Sequence, residues 1–119
     1  MAIRDQIQDE PNELFHEQNR VERIKKYIAA NLSTDLSAAT VSQKFELSVS
    51  SLQHIFKKHQ QQTYQRYLED TRMKKAFELI TKDGKRIQEA MYETGYKYKS
   101  TFNSAFKKKF KHPPSYFQQ

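Results

Sequence analysis

A pattern of apolar and basic residues recurs along this chain at an interval of about 50 residues. Displacing the sequence by 50 places sets Phe56 over Phe106 and the lysine pair 57–58 over the pair 107–108. In both copies the apolar residues are spaced three and four apart, which marks one face of a helix. The repeat therefore predicts two copies of one small helical unit, each with a basic outer surface.

A short helix precedes each of these segments and is separated from it by a few residues. In the first copy Ser37 is a good N-cap for the short helix, and Ser48 is a good N-cap for the helix that follows. In the second copy the short helix starts near Ile87 and ends near Gly95, where a left-handed residue is expected. Two such helices, the second polar and basic on its free face, describe a helix-turn-helix.

A longer helix joins the two units. We predict it from Tyr64, after the N-cap Thr63, to about Thr81, before the turn at Asp83. About 17 residues give a length of about 26 Å, while adjacent major grooves on one face of B-DNA lie about 34 Å apart. With the width of the units added, a spacer of this length could place the second helix of each unit, its recognition helix, in adjacent major grooves. One monomer would then read a bipartite site.

Two arginines on that helix have two competing interpretations. Arg66 and Arg72 either clamp phosphate or brace the two units against each other, and the sequence does not separate these roles.

The domain organisation follows from where the helical period begins. A first helix is predicted from about Val21 to near Asn31, whereas the preceding stretch contains Pro11 and has no sustained period. We therefore expect a polar tail or linker remnant over residues 1–18 and one DNA-binding domain over 19–119, with lobe one at about 19–62, the linker helix at about 64–81 and lobe two at about 85–119.

The positive charge is concentrated in the predicted domain. The net charge is +7, but residues 1–23 carry six acidic and three basic residues, which leaves the remainder at +10. This positive field favours a polyanion as binding partner. Nucleic acid is favoured over a membrane surface, because the basic residues recur in several segments and not in one amphipathic stripe. A basic domain without such a partner remains an alternative on charge alone.

Several classes of site and location are disfavoured. The absence of Cys excludes disulfides and thiolate zinc ligands, and His54 and His59 are badly spaced for sharing a metal. We expect no metal and no cofactor. The longest apolar run, residues 28–30, is far too short for a membrane span, and we expect a cytoplasmic protein.

Two alternatives to DNA binding come from other functional classes. An enzyme is not expected, because the chain has no nucleophile elbow, phosphate-cradling loop or paired-carboxylate pattern and only two glycines. A helical interaction or adaptor domain with a non-specific basic surface is the stronger rival. Such a domain would normally expose apolar or aromatic anchors, whereas the predicted free faces here carry Gln, Ser, Asn and Lys.

Taken together, these residues resemble the DNA-binding domain of the AraC/XylS family of bacterial transcription regulators. The resemblance implies an all-α, seven-helix, two-lobed domain with homeodomain-like lobes, whose third and sixth helices enter the major groove. It is carried by residues 45–52, 56–58, 67–68, 72–73, 87–90, 95–96, 102, 106–108 and 113–117.

The resemblance also implies site residues. The first recognition helix would present Ser50, Gln53 and His54 to base edges and Lys57 to phosphate. Gln53 suits adenine, and a lysine can donate to guanine. The complete set of expected DNA-binding residues is Ser50, Ser51, Gln53, His54, Lys57, Lys58, Lys97, Lys99, Ser100, Thr101, Asn103, Ser104, Lys107 and Lys108.

Double-stranded DNA is the expected partner, with RNA polymerase added if the protein is an activator. As this chain, we expect a monomer that dimerises only through a domain absent from these 119 residues. Family members often join this domain to a sensing or dimerising domain, so the chain is either a stand-alone regulator or the C-terminal part of a larger one.

Overall fold

The computed structural model describes the backbone of residues 2–118 and the side chains of residues 14–118. Over this part of the chain the secondary structure is entirely helical, which confirms the expected all-α, seven-helix fold. The helices are α1 (Ala2–Ala30), α2 (Ala38–Lys44), α3 (Val49–Gln60), α4 (Tyr64–Thr81), α5 (Ile87–Glu93), α6 (Lys99–Phe110) and α7 (Pro114–Phe117).

Side-chain hydroxyls start three of these helices, as predicted. The hydroxyl oxygens of Ser37, Ser48 and Thr63 each accept a hydrogen bond from the backbone N–H three residues on, at 3.3, 3.0 and 3.1 Å. Each satisfies one N–H that has no partner inside the helix. The second unit departs from this pattern, because the N-cap of α6 is Tyr98, whose side chain makes no capping hydrogen bond.

The first helix begins earlier than the apolar period predicted, because α1 runs for 29 residues from Ala2, includes Pro11 and does not start near Val21. Apolar periodicity reveals only the face that a helix buries, and among the described side chains of α1, residues 14–30, the first in the core is Val21. Once the segment after Val21 is packed, further residues extend an existing helix and need no new nucleus. A polar extension of this kind leaves no periodic signal in the sequence.

Two hydrophobic cores form, and α4 contributes to both. Tyr64, at the start of α4, is fully buried in the core of lobe one, and Met73 and Ala76, further along, are fully buried in that of lobe two. The linker helix is therefore a shared wall of both lobes. The other buried members are Val21, Ile24, Ile28, Leu32, Leu36, Val41, Leu52, Ile55 and Phe56 in lobe one, and Leu79, Ile80, Ala90, Met91, Phe102, Ala105 and Phe106 in lobe two.

Arg72 braces the two lobes against each other. Its Nη2 donates to the backbone oxygens of Leu32 and Thr34 in lobe one, at 3.4 and 3.2 Å. The guanidinium also lies 5.9 Å from the ring centroid of Tyr96 in lobe two. Gly95 (φ +89) packs into the same seam, where an added Cβ would lie 2.3 Å from the Leu32 oxygen.

Tyr64 fixes the start of α4 to the loop between α1 and α2. Its hydroxyl donates a 2.7 Å hydrogen bond to the backbone oxygen of Leu36, and the edge of its ring meets Phe56 at a centroid distance of 5.2 Å. Burial raises the pKa of Tyr64 to about 12, since the interior disfavours a phenolate.

This raised pKa predicts a loss of stability in alkali. A folded-state pKa above the unfolded value of about 10 gives a contribution that is complete below pH 10 and is lost as the pH rises through about 12. Urea denaturation at pH 7 and at intervals from pH 9 to 12 measures it. Replacing Tyr64 by Phe is expected to cost about 1 to 2 kcal/mol at pH 7 by leaving the Leu36 oxygen unpaired.

The same variant supplies the control for the pH dependence. Tyr64→Phe lacks the titrating group and should lose less stability than the wild type between pH 10 and 12, whereas Tyr116→Phe, at an exposed tyrosine, should follow the wild-type curve. Parallel curves for the wild type and Tyr64→Phe would contradict the assignment.

Candidate nucleic-acid interface

The outer face of α3 carries the predicted residues of the first unit. Leu52, Ile55 and Phe56 turn inward and are buried. The opposite side of the helix exposes Ser50, Ser51, His54, Lys57 and Lys58, with Gln53 half-buried. Five of the residues around a shallow cleft of about 440 Å³ come from this helix, namely Val49, Ser50, Gln53, His54 and Lys57.

The outer face of α6 repeats this arrangement. Position by position, the pattern of buried, half-buried and exposed residues over 101–110 is identical to that over 51–60. Asn103 is half-buried, like Gln53, and a cleft of about 430 Å³ includes Ser100, Ser104 and Lys108. The remaining predicted residues of this unit, all exposed, are Lys97, Lys99, Thr101 and Lys107.

Gln53 has a structural partner that sequence reasoning missed. Its side-chain oxygen accepts a hydrogen bond from the backbone N–H of Tyr64 at 3.4 Å, and so caps the start of α4. A bidentate hydrogen bond to adenine uses both the oxygen and the nitrogen of a glutamine amide. In this conformation the amide nitrogen is free to face a base, whereas the oxygen already accepts one hydrogen bond from Tyr64.

Lys58 is engaged by α1. Its Nζ lies 3.0 Å from Glu17 Oε1, and Nε2 of His59 lies 3.2 Å from the same oxygen. The hydrogen bond from Lys58, followed by that from His59, lowers the pKa of Glu17. Sequence reasoning missed this contact because Glu17 lies in the segment that was assigned to a tail.

The other lysines of the predicted set have no ion-pair partner within 4.0 Å among the described side chains. They are Lys57, Lys97, Lys99, Lys107 and Lys108. A row of unpaired cations attracts a polyanion, and phosphate neutralisation requires such groups.

Val49 is a further residue of the first face that had no assigned role. It is 44% exposed and lines the same cleft as Ser50 and Gln53. Its position gives a signal in the sequence, because this apolar residue lies at the start of α3 and falls outside the buried stripe of Leu52, Ile55 and Phe56.

Two other features are absent from the described part of the chain. Within the described side chains, no group of three or more His, Asp or Glu is placed to hold a metal ion. Within the same part of the chain, no helix has the length and apolar character to cross a membrane.

Comparison with known proteins agrees with this geometry. A family model described as a helix-turn-helix domain matches residues 41–119. The transcriptional activator RhaR of Mannheimia succiniciproducens is 23% identical over 111 residues, which are 93% of this chain and 40% of RhaR. The chain thus spans two fifths or less of the length of the curated relatives it matches.

Solved structures show the same architecture. The C-terminal domain of the response regulator yesN from Fusobacterium nucleatum superposes with a TM-score of 0.78 at 26% identity, covering 85% of this chain and 99% of that domain. The C-terminal domain of AraT, a response regulator from Geobacillus stearothermophilus, gives 0.78 at 28% identity and covers 83% of each chain. With two helix-turn-helix units on a shared linker helix, the chain belongs to the AraC-type family of helix-turn-helix domains.

Proposed function

We propose that this chain binds double-stranded DNA in a sequence-specific manner and regulates transcription, with α3 and α6 in successive major grooves. The observation that carries the proposal is the repeated outer face of these two helices, which agree in burial at every position and display lysines with no ion-pair partner among the described side chains. An adaptor function is not favoured, because these faces offer polar and cationic groups in place of a cluster of apolar anchors.

Base reading is assigned to the middle of each face. In the first unit, Ser50 and His54 contact base edges, and Gln53 donates through its free amide nitrogen. In the second unit, Ser100, Asn103 and Ser104 occupy the corresponding positions. Val49 is a suitable apolar contact for a thymine methyl group.

Phosphate binding is assigned to the unpaired lysines at the edges of the faces, chiefly Lys57, Lys107 and Lys108, with Lys97 and Lys99 at the start of α6. Ser51 and Thr101 lie beside the base-reading positions and suit additional phosphate or base contacts. The main role assigned to Lys58 is to hold α1 through its ion pair with Glu17.

The functions of a longer protein also belong to this proposal. RhaR is named as an activator, and contact of this chain with RNA polymerase is proposed on that likeness. Dimerisation through a further domain is proposed from the family resemblance alone. The relatives are transcription regulators, and no catalytic role is proposed.

A binding titration tests the proposal. The duplex is first obtained by selecting bound sequences from a random DNA pool, which should yield two half-motifs about one helical turn apart. If about six phosphates are neutralised, log affinity should fall against log salt with a slope near −5. Binding without salt dependence would contradict the proposal.

Two variants separate base reading from phosphate contact. Replacing Gln53 by Ala should cost about 1 to 3 kcal/mol on the selected duplex and little on random DNA, whereas Lys57→Ala should weaken both and reduce the salt slope by about one. Because Gln53 also caps α4, its variant is compared with the wild type in urea denaturation as well. An equal loss of affinity on both duplexes would show that Gln53 reads no base.

A further inference from the structure

Arg66 lies between the two recognition helices, on the first turn of α4. Two clefts meet there. One, of about 360 Å³, includes Lys57, Thr63 and Arg66, and the other, of about 550 Å³, includes Thr63, Arg66, Lys108 and Lys111. Arg66 is exposed and belongs to the wall of both clefts.

These clefts connect the two recognition faces into one surface. The cleft on the α3 face shares Lys57 and Thr63 with the first of them. The cleft on the α6 face shares Glu69 and Lys108 with the second. A duplex that touches both recognition helices therefore passes over the start of α4, where Arg66 lies.

The charge of this central surface is positive. Asp70 is neutralised by Lys109, whose Nζ lies 3.3 Å from its carboxylate. Arg66, Lys108 and Lys111 have no ion-pair partner within 4.0 Å among the described side chains, and Glu69 is the remaining acid of the larger cleft.

The linker helix itself adds to this attraction for anions. The start of an 18-residue helix carries a partial positive charge from its aligned peptide dipoles. The guanidinium of Arg66 makes no hydrogen bond within the described part of the chain, in contrast to that of Arg72, which is held by two backbone oxygens.

We infer that Arg66 binds the DNA backbone between the two major-groove sites, with its guanidinium on phosphates of that central segment. The planar guanidinium suits a phosphate better than the point charge of a lysine because it donates two parallel hydrogen bonds. Lys57 and Lys108 flank the contact from the two recognition helices. The inference rests on the proposed function and adds a third contact to the two recognition helices.

Neutral-backbone DNA tests the inference. A series of the selected duplex is made, each member with one methylphosphonate linkage at a successive position between the half-motifs. For the wild type, one or two central linkages should weaken binding about tenfold, because each removes one phosphate charge. For Arg66→Ala, which should itself bind the unmodified duplex about tenfold more weakly, those linkages should have little further effect.

Two control variants sharpen the comparison. Lys75→Ala removes one charge from the same helix, nine residues on and so about 180° around the axis, and should keep the wild-type profile. Arg66→Lys should restore part of the sensitivity to the central linkages. Circular dichroism should show Arg66→Ala folded, since the side chain is exposed.

The outcomes distinguish the inference from the function it rests on. Salt-dependent binding of the duplex together with identical linkage profiles for the wild type and Arg66→Ala would overturn the inference alone. No salt-dependent binding by the wild type would overturn the proposed function itself. Loss of sensitivity at the central linkages in Arg66→Ala, with the wild-type profile kept by Lys75→Ala, is the supporting result.

Discussion

Replacing Gly95 by Ala is expected to lower the free energy of unfolding by about 2 to 5 kcal/mol. Part of this loss, about 1 to 2 kcal/mol, comes from placing a Cβ on a residue at φ +89. The rest comes from steric overlap, since that Cβ would lie 2.3 Å from the backbone oxygen of Leu32, and overpacking of this kind costs about 1 to 3 kcal/mol. Urea denaturation followed by circular dichroism measures the change.

Gly84 is the matched control for this prediction. It also has a positive φ, +65, but an added Cβ would have no atom within 4 Å. Gly84→Ala should therefore cost only the conformational part, about 1 kcal/mol. Equal losses for the two variants would mean that the seam between the lobes does not depend on close approach at Gly95.

Replacing Phe106 by Ala is expected to cost about 3 to 5 kcal/mol. This ring is fully buried and lies within 6.4 Å, between centroids, of the rings of Phe77, Phe102, Phe110 and Phe117. The truncation leaves a cavity at the centre of lobe two and removes four aromatic contacts. We therefore expect α6 to shift from its position as well as the protein to lose stability.

Denaturation and DNA titration together check the Phe106 prediction. Tyr98→Ala serves as the control, because it removes an aromatic ring that is 71% exposed at the start of the same helix, and its effect on stability should stay within about 0.5 kcal/mol. A loss below about 1 kcal/mol for Phe106→Ala would be inconsistent with a central role in the core.

Local interactions explain how much of the fold could be predicted. Ser37, Ser48 and Thr63 act on a backbone N–H only three residues away, so the start of a helix is encoded where it occurs. The bounds of α4 were predicted for the same reason, with a cap at one end and a turn at the other. The extension of α1 was missed because its sequence has no sustained apolar period.

The sequence was sufficient to predict which helix faces form the candidate site. It was not sufficient to predict which side chains on those faces already have a partner within the protein. The spacing of the apolar residues determines which side chains of α3 and α6 point outward. It does not reveal that Glu17 reaches Lys58, 41 residues away in sequence, or that the Gln53 amide turns to Tyr64. Arg66 and Arg72 cannot be told apart from the sequence. In the folded chain Arg72 donates to backbone oxygens, whereas Arg66 lies exposed at the surface.

The ion pair between Lys58 and Glu17 has a consequence for the proposed affinity for DNA. A phosphate that recruits Lys58 must replace the carboxylate of Glu17, whose lowered pKa shows that its charged form is favoured where it lies. In the proposed complex, the carboxylate of Glu17 and the duplex therefore compete for this lysine, while Lys57, one residue earlier, has no such competitor among the described side chains.

Because α4 contributes to both cores, it fixes the rotation of lobe two relative to lobe one about the axis of that helix. Each residue of an α-helix turns the chain by about 100° and advances it by about 1.5 Å. One residue inserted between Leu68, which packs on the first core, and Met73, in the second, would turn lobe two by that angle relative to lobe one. The recognition helices would then face different sides of the duplex. In the proposed mode of binding, the turn and the length of α4 therefore set the number of base pairs between the two half-motifs.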